Sequence, residues 1–275
     1  KTLWKKDLTK YGRDTLYWDF GTSPVLTKKH VIVALMRQNN SWLLAFDQIS
    51  GKVAWEMERN YKTPPECDHS YATPIIIEHK GKEAILIWGA ERLTAHSAKD
   101  GSMLWSAAGF NPQAKKNWVG VGSHVVVGDV GIVPYGRGSH LTGIRLGGKG
   151  DVTDSHRLWT RKDTGSFVPT PAVSKGKVFI LRDRGEVHCI DPQTGKSHWE
   201  DAFPRGSSSY YSSPTVAGGK LYAAREDGGI FVADVSKGFR FLGQNDMGER
   251  VIASPVPAAN RLLIRGENHL FCLGE

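Results

Sequence analysis

The sequence predicts an all-β protein, a β-propeller of six four-stranded blades that the N-terminal strand closes. One phrase suggests it, because AFDQISGKVAWE at 45–56 and CIDPQTGKSHWE at 189–200 both read as a strand, an acidic turn, a glycine and a strand centred on tryptophan. This tryptophan recurs at Trp4, Trp55, Trp105, Trp159 and Trp199. A Ser or Thr, usually before Pro, recurs at Ser23, Thr73, Ser123, Thr170, Ser213 and Ser254. Repeats of about 40 to 50 residues with four short strands have the size of a propeller blade.

Each repeat divides into four predicted strands. In the fourth repeat these are TPAVSKG, KVFILR, EVHCID and KSHWED, where β-branched and apolar residues alternate between turns. The turn from Asp191 to Gly195 combines an Asp that can cap it with a Gly that tolerates positive φ. We expect the recurring tryptophans to be buried between blades, where their large rings contribute most to the core.

The two markers also set the blade boundaries. We predict a single domain over 1–275, with blades at approximately 23–59, 72–109, 122–163, 170–204, 213–248, and 254–273 together with 1–8. Six starts meet six ends only if the strand around Trp4 completes the blade that begins at Ser254. That strand would then act as a clasp and cover the open edges of the ring.

The composition restricts the class of partner. Hydrophobic residues make up 40% of the 275 residues and charged residues 23%, as in ordinary soluble domains. No run of 18 apolar residues occurs, so we expect no transmembrane segment. The net charge of +8 suits anionic partners. The basic residues of the sequence are scattered and form no recognisable nucleic-acid-binding module, so nucleic acid is not an expected partner.

An arginine recurs where the second strand of a repeat ends, at Arg37, Arg137, Arg182, Arg225 and Arg265, and Arg92 lies slightly later in the second repeat. The turns between second and third strands of a propeller open on one face, so these arginines would surround one mouth of the channel. Guanidinium groups bind carboxylate, sulfate or phosphate through paired hydrogen bonds. One interpretation is an anion-binding face. The other, which the acids nearby in the sequence favour, is that each arginine pairs with a loop acid.

The loops between blades add further candidates to the same face. The candidate ligand-binding residues there are Trp18, His69, Trp118, Tyr211 and Arg250. Aromatic rings beside arginines suit a sugar acid, because the rings stack on the sugar while guanidinium holds its carboxylate. The alternative is that these rings plug the channel or cover blade ends. If the protein is an enzyme, His69 and Tyr71 are the candidate catalytic residues.

The cysteines give no metal or redox motif. Cys67, Cys189 and Cys272 cannot all pair, and neither CxxC nor a metal-ligand spacing occurs, so no metal is expected. The repeat alignment places Cys189 and Cys272 in a column of small residues on a buried strand face. No GxSxG, HExxH or P-loop sequence is present.

Three segments carry a family resemblance: LLAFDQISGKVAW, VHCIDPQTGKSHW and ASPVPAANRLLIRGENHLFCLG. They resemble the repeat of the PQQ-like β-propeller proteins of bacteria, in the branch outside the dehydrogenases, and LTGIRLGGKGDVTDSHRLW resembles a long-turn variant of it. The resemblance covers nearly the whole chain and implies a periplasmic or extracellular location. Quinoprotein dehydrogenases have eight blades and an adjacent cysteine pair against the cofactor. This sequence shows six repeats and no such pair, so no cofactor is expected.

The favoured function is a non-catalytic binding or scaffold propeller. We expect a monomer whose Arg-lined face takes a protein partner or an anionic glycan. Two enzyme alternatives stay open. One is a quinoprotein-like oxidoreductase, since the three carboxylates of PQQ would suit an arginine ring. The other is a polysaccharide-cleaving enzyme that acts on acidic sugars through His69 and Tyr71.

Overall fold

The computed structural model of the protein describes residues 1–13 and 15–274. Besides one 3-10 turn at Thr9–Tyr11, the regular structure of the described residues consists of strands. The first eight are β1 (Val25–Leu26), β2 (His30–Leu35), β3 (Trp42–Asp47), β4 (Val53–Glu58), β5 (Ile75–His79), β6 (Lys82–Gly89), β7 (Arg92–Ser97) and β8 (Met103–Ala107). The next eight are β9 (Val125–Val127), β10 (Val130–Tyr135), β11 (His140–Arg145), β12 (Gly150–Asp151), β13 (Arg157–Arg161), β14 (Ala172–Ser174), β15 (Lys177–Leu181) and β16 (Glu186–Ile190). The last eight are β17 (Ser197–Ala202), β18 (Thr215–Ala217), β19 (Lys220–Ala224), β20 (Gly229–Asp234), β21 (Arg240–Asp246), β22 (Val256–Ala258), β23 (Arg261–Arg265) and β24 (Leu270–Leu273).

Within the described residues these strands form six sheets, which confirms the all-β prediction. Four sheets have four strands each: β1–β4, β9–β11 with β13, β14–β17, and β18–β21. The second sheet, β5–β8, gains β12 as a fifth strand, and the sixth sheet has the three strands β22–β24. The main strands of each sheet fall inside the blade ranges that the sequence predicts. No helix among the described residues is long and apolar enough to span a membrane.

The chain divides into two compact units. The first comprises Lys1–His124 and Ile144–Arg157, and the second comprises Val125–Gly143 and Leu158–Glu275. Each unit has its own apolar core. In the first unit, one core cluster includes Ile32, Leu43, Ile85 and Ile87, with Trp55 packed against it. In the second unit, clusters include Val130, Ile132, Val178 and Ile180, and also Leu181, Val187, Phe203, Tyr210 and Phe231.

The recurring Ser or Thr links neighbouring sheets within each unit. In the first unit the amide of Ser23 donates to Thr73 Oγ1 at 3.1 Å, and the amide of Thr73 donates to Ser123 Oγ at 2.9 Å. In the second unit, the amide of Thr170 donates to Ser213 Oγ at 2.9 Å, and that of Ser213 to Ser254 Oγ at 3.0 Å. The hydroxyl of one repeat therefore satisfies a backbone donor of the repeat before it.

The recurring tryptophan docks on the turn between the third and fourth strands of the next sheet. Trp55 Nε1 donates to Ala98 O at 3.2 Å, and a Cβ on Gly101 would lie 2.7 Å from the Trp55 ring. In the second unit Trp159 Nε1 donates to Pro192 O at 2.9 Å, and its ring covers Gly195. The turn therefore needs glycine for two reasons: the residue has a positive φ, and a side chain there would occupy the space of the indole.

The prediction that residues 1–8 form the fourth strand of the last blade is wrong. Residues 1–13 and 15–24 contain no strand, and β24 pairs only with β23 among the described strands. Trp4 instead packs beside the first sheet, where its Nε1 donates to Gln48 O at 2.8 Å and its ring covers Gly51. Trp4 thus repeats the indole contact of its counterparts without their strand pairing, because the contact needs only a side chain and a glycine turn.

The burial of Cys272 also differs from the prediction. Cys189 is buried in β16, as its column predicts, whereas Cys272 is exposed in β24. The prediction of burial is wrong for Cys272, since no fourth strand covers β24 among the described residues.

Candidate functional site

The predicted arginines lie where the sequence places them along the strands. Each follows or ends the second strand of a sheet: Arg37 after β2, Arg137 after β10, Arg182 after β15, Arg225 after β19 and Arg265 at the end of β23. We call these turns, which join the second and third strands, the B–C turns. The five arginines form two groups by their burial. Arg37 and Arg225 are buried, whereas Arg137, Arg182 and Arg265 are half-buried or exposed.

Arg37 is buried inside the first unit, at 2% exposure. Its guanidinium donates to the carbonyls of Tyr11 at 2.6 Å, Gly12 at 2.8 Å, Arg13 at 2.9 Å and Asn40 at 3.3 Å. Four of its five N–H donors are therefore used by backbone oxygens. Arg37 holds the N-terminal segment onto the first sheet and presents no open face to a ligand.

His69 is also buried in the first unit, at 2% exposure. The ring of Tyr17 meets it edge to face at 5.6 Å between centroids, and His69 Nε2 has no hydrogen-bond partner among the described residues. The backbone of the loop is fixed by Tyr71, whose amide donates to Gly120 O at 2.8 Å. A general base at His69 would lie beneath Tyr17 and away from solvent.

The other aromatic candidates of the first unit are more accessible. Trp18 is 83% exposed, in a turn that also exposes Tyr17 and Phe20. Trp118 is half-buried, and the ammonium of Lys115 lies 5.0 Å above its ring. Of the candidates in this unit, Trp18 therefore offers the open ring face that stacking on a ligand needs.

Arg59 is a fully buried cation that the sequence did not single out. It donates to Gly89 O at 3.0 Å, Arg92 O at 3.2 Å and Thr94 Oγ1 at 3.1 Å. Burial lowers the pKa of Arg59 to about 10. It also contributes, behind burial, to the lowered pKa of His96, about 4. Its only signal in the sequence is a basic residue four positions after Trp55 in the outer strand.

Two basic candidates of the second unit are neutralised by acids. Arg225 is buried, and its Nε donates to both oxygens of Asp227 at 2.9 and 3.0 Å. Its Nη1 donates to Pro204 O at 3.0 Å, and the guanidinium lies 4.7 Å from the ring centroid of Phe231. Arg250 forms an ion pair with Glu226, with Nε to Oε1 at 3.0 Å. The loop-acid alternative therefore describes these two residues.

Arg182 and Arg265 have no such acid. Arg182 is half-buried and Arg265 is exposed, and neither side chain forms an ion pair with an acid in the described part of the chain. Burial raises the pKa of the Asp183 carboxyl, and the charge of Arg182 only partly opposes this effect. The guanidinium charge at both turns is left for solvent or a ligand.

Arg137 and Tyr211 complete the candidates of the second unit. Arg137 is exposed and its guanidinium lies 4.3 Å above the ring of Phe167, a residue of the loop between β13 and β14. Tyr211 is half-buried in the loop between β17 and β18. Both sit where the loops between sheets reach the B–C turns, so this unit combines guanidinium groups with aromatic rings.

Two of the three cysteine thiols, those of Cys67 and Cys189, are buried. Cys67 is buried, and burial raises the pKa of its thiol to about 11. The described residues contain no group of three or more His, Cys, Asp and Glu side chains able to hold a metal ion.

The repeat and the sheet arrangement agree with a known family. The sequence profile described as outer membrane protein assembly factor BamB matches residues 1–166 and 149–241. The chain belongs to this family. The expected PQQ-like β-propeller repeat is thereby confirmed. No protein of curated function matches the sequence significantly.

Solved structures show the same propeller fold at low identity. BamB from Moraxella catarrhalis matches with a TM-score of 0.66 and 17% identity over 90% of this chain and 70% of its own. Quinohemoprotein alcohol dehydrogenase from Comamonas testosteroni matches with a TM-score of 0.62 and 16% identity over 92% of this chain and 45% of its own. The C-terminal WD40 domain of Sif2 matches with a TM-score of 0.62 and 12% identity over 92% and 68%. At these identities the likeness concerns the fold.

Proposed function

We propose that this BamB-family chain is a non-catalytic scaffold propeller that acts outside the cytoplasm and binds an acidic protein partner at the B–C turns of its second unit. One observation carries the proposal. Arg182 and Arg265 keep their charge without an ion pair in the described chain, whereas Arg225 and Arg250 in the same unit are paired with acids.

The charges of Arg182 and Arg265 are not neutralised by an ion pair in the described chain. An exposed guanidinium without a neighbouring acid attracts carboxylates in solution and can bind them with two parallel hydrogen bonds. Arg137 is an exposed arginine of the same unit, and its guanidinium lies 4.3 Å above the ring of Phe167. Arginine and aromatic side chains are enriched where protein interfaces gain most of their binding free energy.

The family supports a protein as the partner, because its description is that of an assembly factor for outer membrane proteins. The same description supports a location outside the cytoplasm. An anionic glycan is the second candidate ligand, and the exposed indole of Trp18 in the first unit favours it, since an open aromatic face can stack on a sugar.

The buried position of His69 supports a non-catalytic function. A general base must come within hydrogen-bond reach of the proton it removes. His69 is 2% exposed beneath Tyr17, so a polysaccharide could reach its ring only if Tyr17 moved away.

A thermal-shift screen tests the ligand class. The panel contains a synthetic peptide rich in Glu and Asp, an acidic oligosaccharide, a neutral oligosaccharide of equal length, and PQQ with calcium. A ligand at about 100 times its dissociation constant should add roughly 2.7 kcal/mol of stability. We expect the acidic peptide to raise the Tm at low salt and to raise it less at moderate salt.

The variant Arg182→Ala/Arg265→Ala should remove that shift. The control is Arg240→Ala/Arg261→Ala, which removes the same formal charge from two exposed arginines of the same unit at the opposite ends of strands, of which Arg240 pairs with Asp234 at 3.0 Å. A rise in Tm with the acidic oligosaccharide alone would indicate that the ligand is a glycan and not a protein. A shift with PQQ alone would overturn the non-catalytic proposal and favour the oxidoreductase.

A further inference from the structure

A groove of about 330 Å³ lies on the second sheet, at the strand ends opposite the B–C turns. It is lined by Lys80 and Lys82 from the β5–β6 turn and by Lys149 from the long turn before β12. His79, Glu83 and Met103 also line it. We propose that this groove binds a phosphate ester through its three lysines. The inference is independent of the arginine turns and concerns the first unit alone.

The backbone fixes both walls of the groove. Lys80 and Gly81 have φ values of 51° and 73°, which close the tight turn that brings His79 opposite Lys82. On the other wall, a Cβ on Gly148 would lie 2.7 Å from Val152 Cγ1, so only glycine lets this turn close. These two turns therefore set where the lysine backbones stand.

Lys149 is held in place by the strand that follows it. The next residue, Gly150, pairs with Trp105 in a parallel bridge, and Asp151 pairs with Ser106. The amide of Val152 then donates to Ser106 O at 2.9 Å. The long turn is thus anchored to the edge of the second sheet, and Lys149 stands at the start of the anchored stretch.

The three ammonium groups outnumber the acid that lines the groove. Lys80, Lys82 and Lys149 are exposed and form no ion pair with any acid of residues 1–13 or 15–274. Glu83 keeps its negative charge, and its two oxygens share the amide N–H of Lys28 at 3.1 Å. The groove therefore keeps a positive potential, which a bound anion would neutralise.

A second groove carries less unpaired charge. It lies in the second unit, has a volume of about 550 Å³, and is lined by residues that include Trp159, Arg161, Lys196 and Glu200. Here Arg161 donates to Asp163 at 2.5 Å and to Glu200 at 3.2 Å, and Lys196 forms no ion pair in the described part of the chain. The first groove therefore has three cations without an ion pair where the second has one.

The donor chemistry favours a phosphate ester over a carboxylate. An ammonium group is a point charge with rotatable donors, which suits the several oxygens of a compact, doubly charged anion. Met103, which also lines the groove, is 50% exposed and offers apolar contact for the organic part of the ester. The phosphate could belong to a soluble ester or to a phospholipid headgroup.

The test compares two double variants of the whole chain. Lys82→Ala/Lys149→Ala removes charge from the groove, and Lys29→Ala/Lys52→Ala removes the same charge from exposed positions elsewhere in the unit. Inorganic pyrophosphate is titrated by calorimetry, and vesicles of phosphatidylcholine with and without phosphatidylglycerol are tested by co-sedimentation. We expect the groove variant to weaken binding about tenfold or more while the control stays near wild type.

Pyrophosphate binding without vesicle binding would assign the groove to soluble esters, and selective binding to phosphatidylglycerol vesicles would assign it to a headgroup. The proposal is overturned if the wild-type chain binds neither probe. It is equally overturned if both double variants lose affinity to the same extent, since attraction would then come from net charge alone.

Discussion

Arg37 in the first unit and Arg182 in the second occupy the same position of the repeat, and their surroundings are opposite. Arg37 is covered by the N-terminal segment and donates to four backbone carbonyls. Arg182 is half-buried and has no acid partner in the described chain. A repeat therefore duplicates a residue type, but the segments packed against it decide whether the residue stabilises the fold or stays available to a ligand.

The largest effect is expected for Arg37→Ala. The substitution removes the guanidinium donor of Gly12 O, Arg13 O and Asn40 O, while Tyr11 O keeps a hydrogen bond of 2.7 Å from Asn40 Nδ2. A buried unsatisfied group costs about 1–3 kcal/mol. We expect the unfolding free energy to fall by about 3 kcal/mol or more, as measured by urea denaturation. A loss of under about 1 kcal/mol would show that the N-terminal segment is held by other contacts, and the comparison with Arg182 would fail.

The next effect is a pH dependence that originates in the first unit. Burial holds the pKa of His96 at about 4 in the folded chain, below its ordinary value of 6.5. Between those values the unfolded chain binds the proton and the folded chain does not, so stability falls as the pH falls. The loss from His96 alone should reach about 3 kcal/mol at pH 4.

Urea denaturation of His96→Gln over that pH range checks this prediction. The slope of unfolding free energy against pH should flatten in His96→Gln and stay unchanged in His198→Gln, which alters an exposed histidine. An unchanged slope in His96→Gln would mean that His96 titrates normally in the folded chain. His124, whose pKa burial lowers to about 3, should maintain part of the slope.

A smaller loss is expected for Arg225→Ala in the second unit. The change removes the ion pair with Asp227, the contact with Phe231 and one of two hydrogen bonds to Pro204 O, which keeps the Tyr210 hydroxyl as a donor at 2.9 Å. We expect a loss of about 2 kcal/mol by urea denaturation. A neutral result would place Arg225 with Arg182 among the available cations instead of with Arg37.

The smallest stability effect is expected for Arg182→Ala. The side chain forms no ion pair in the described chain, so the unfolding free energy should change by less than about 0.5 kcal/mol. Urea denaturation of Arg182→Ala and Arg37→Ala under the same conditions compares their unfolding free energies directly. A loss as large as that of Arg37→Ala would show that Arg182 has a structural function after all.

The fold was predictable because its signals are local and repeated. Trp55 and Trp159 marked the outer strands correctly, and Ser23 or Thr170 marked the start of a sheet. The sequence showed the recurring hydroxyl but not the hydrogen bond that it accepts from the repeat before it. Trp4 was misassigned because its neighbours match those of a true outer strand, while strand pairing depends on residues far away in the chain.

The site was less predictable because burial is decided by long-range packing. Nothing near Arg37 in sequence distinguishes it from Arg182, since the covering carbonyls come from residues 11–13. The lysine groove depends on the parallel pairing of β12 with β8, which has no periodic signal. Residue types could be read from the sequence, but the segments that cover them could not.

The most direct test of the central claim is a titration of the acidic peptide into three forms of the chain at low and moderate salt. These are the wild type, Arg182→Ala/Arg265→Ala and Arg240→Ala/Arg261→Ala, with affinity measured by fluorescence anisotropy. We predict that the first variant loses affinity and its salt dependence while the second keeps both. Equal affinity in all three forms would contradict binding at the B–C turns, because Arg182 and Arg265 would then contribute nothing to it.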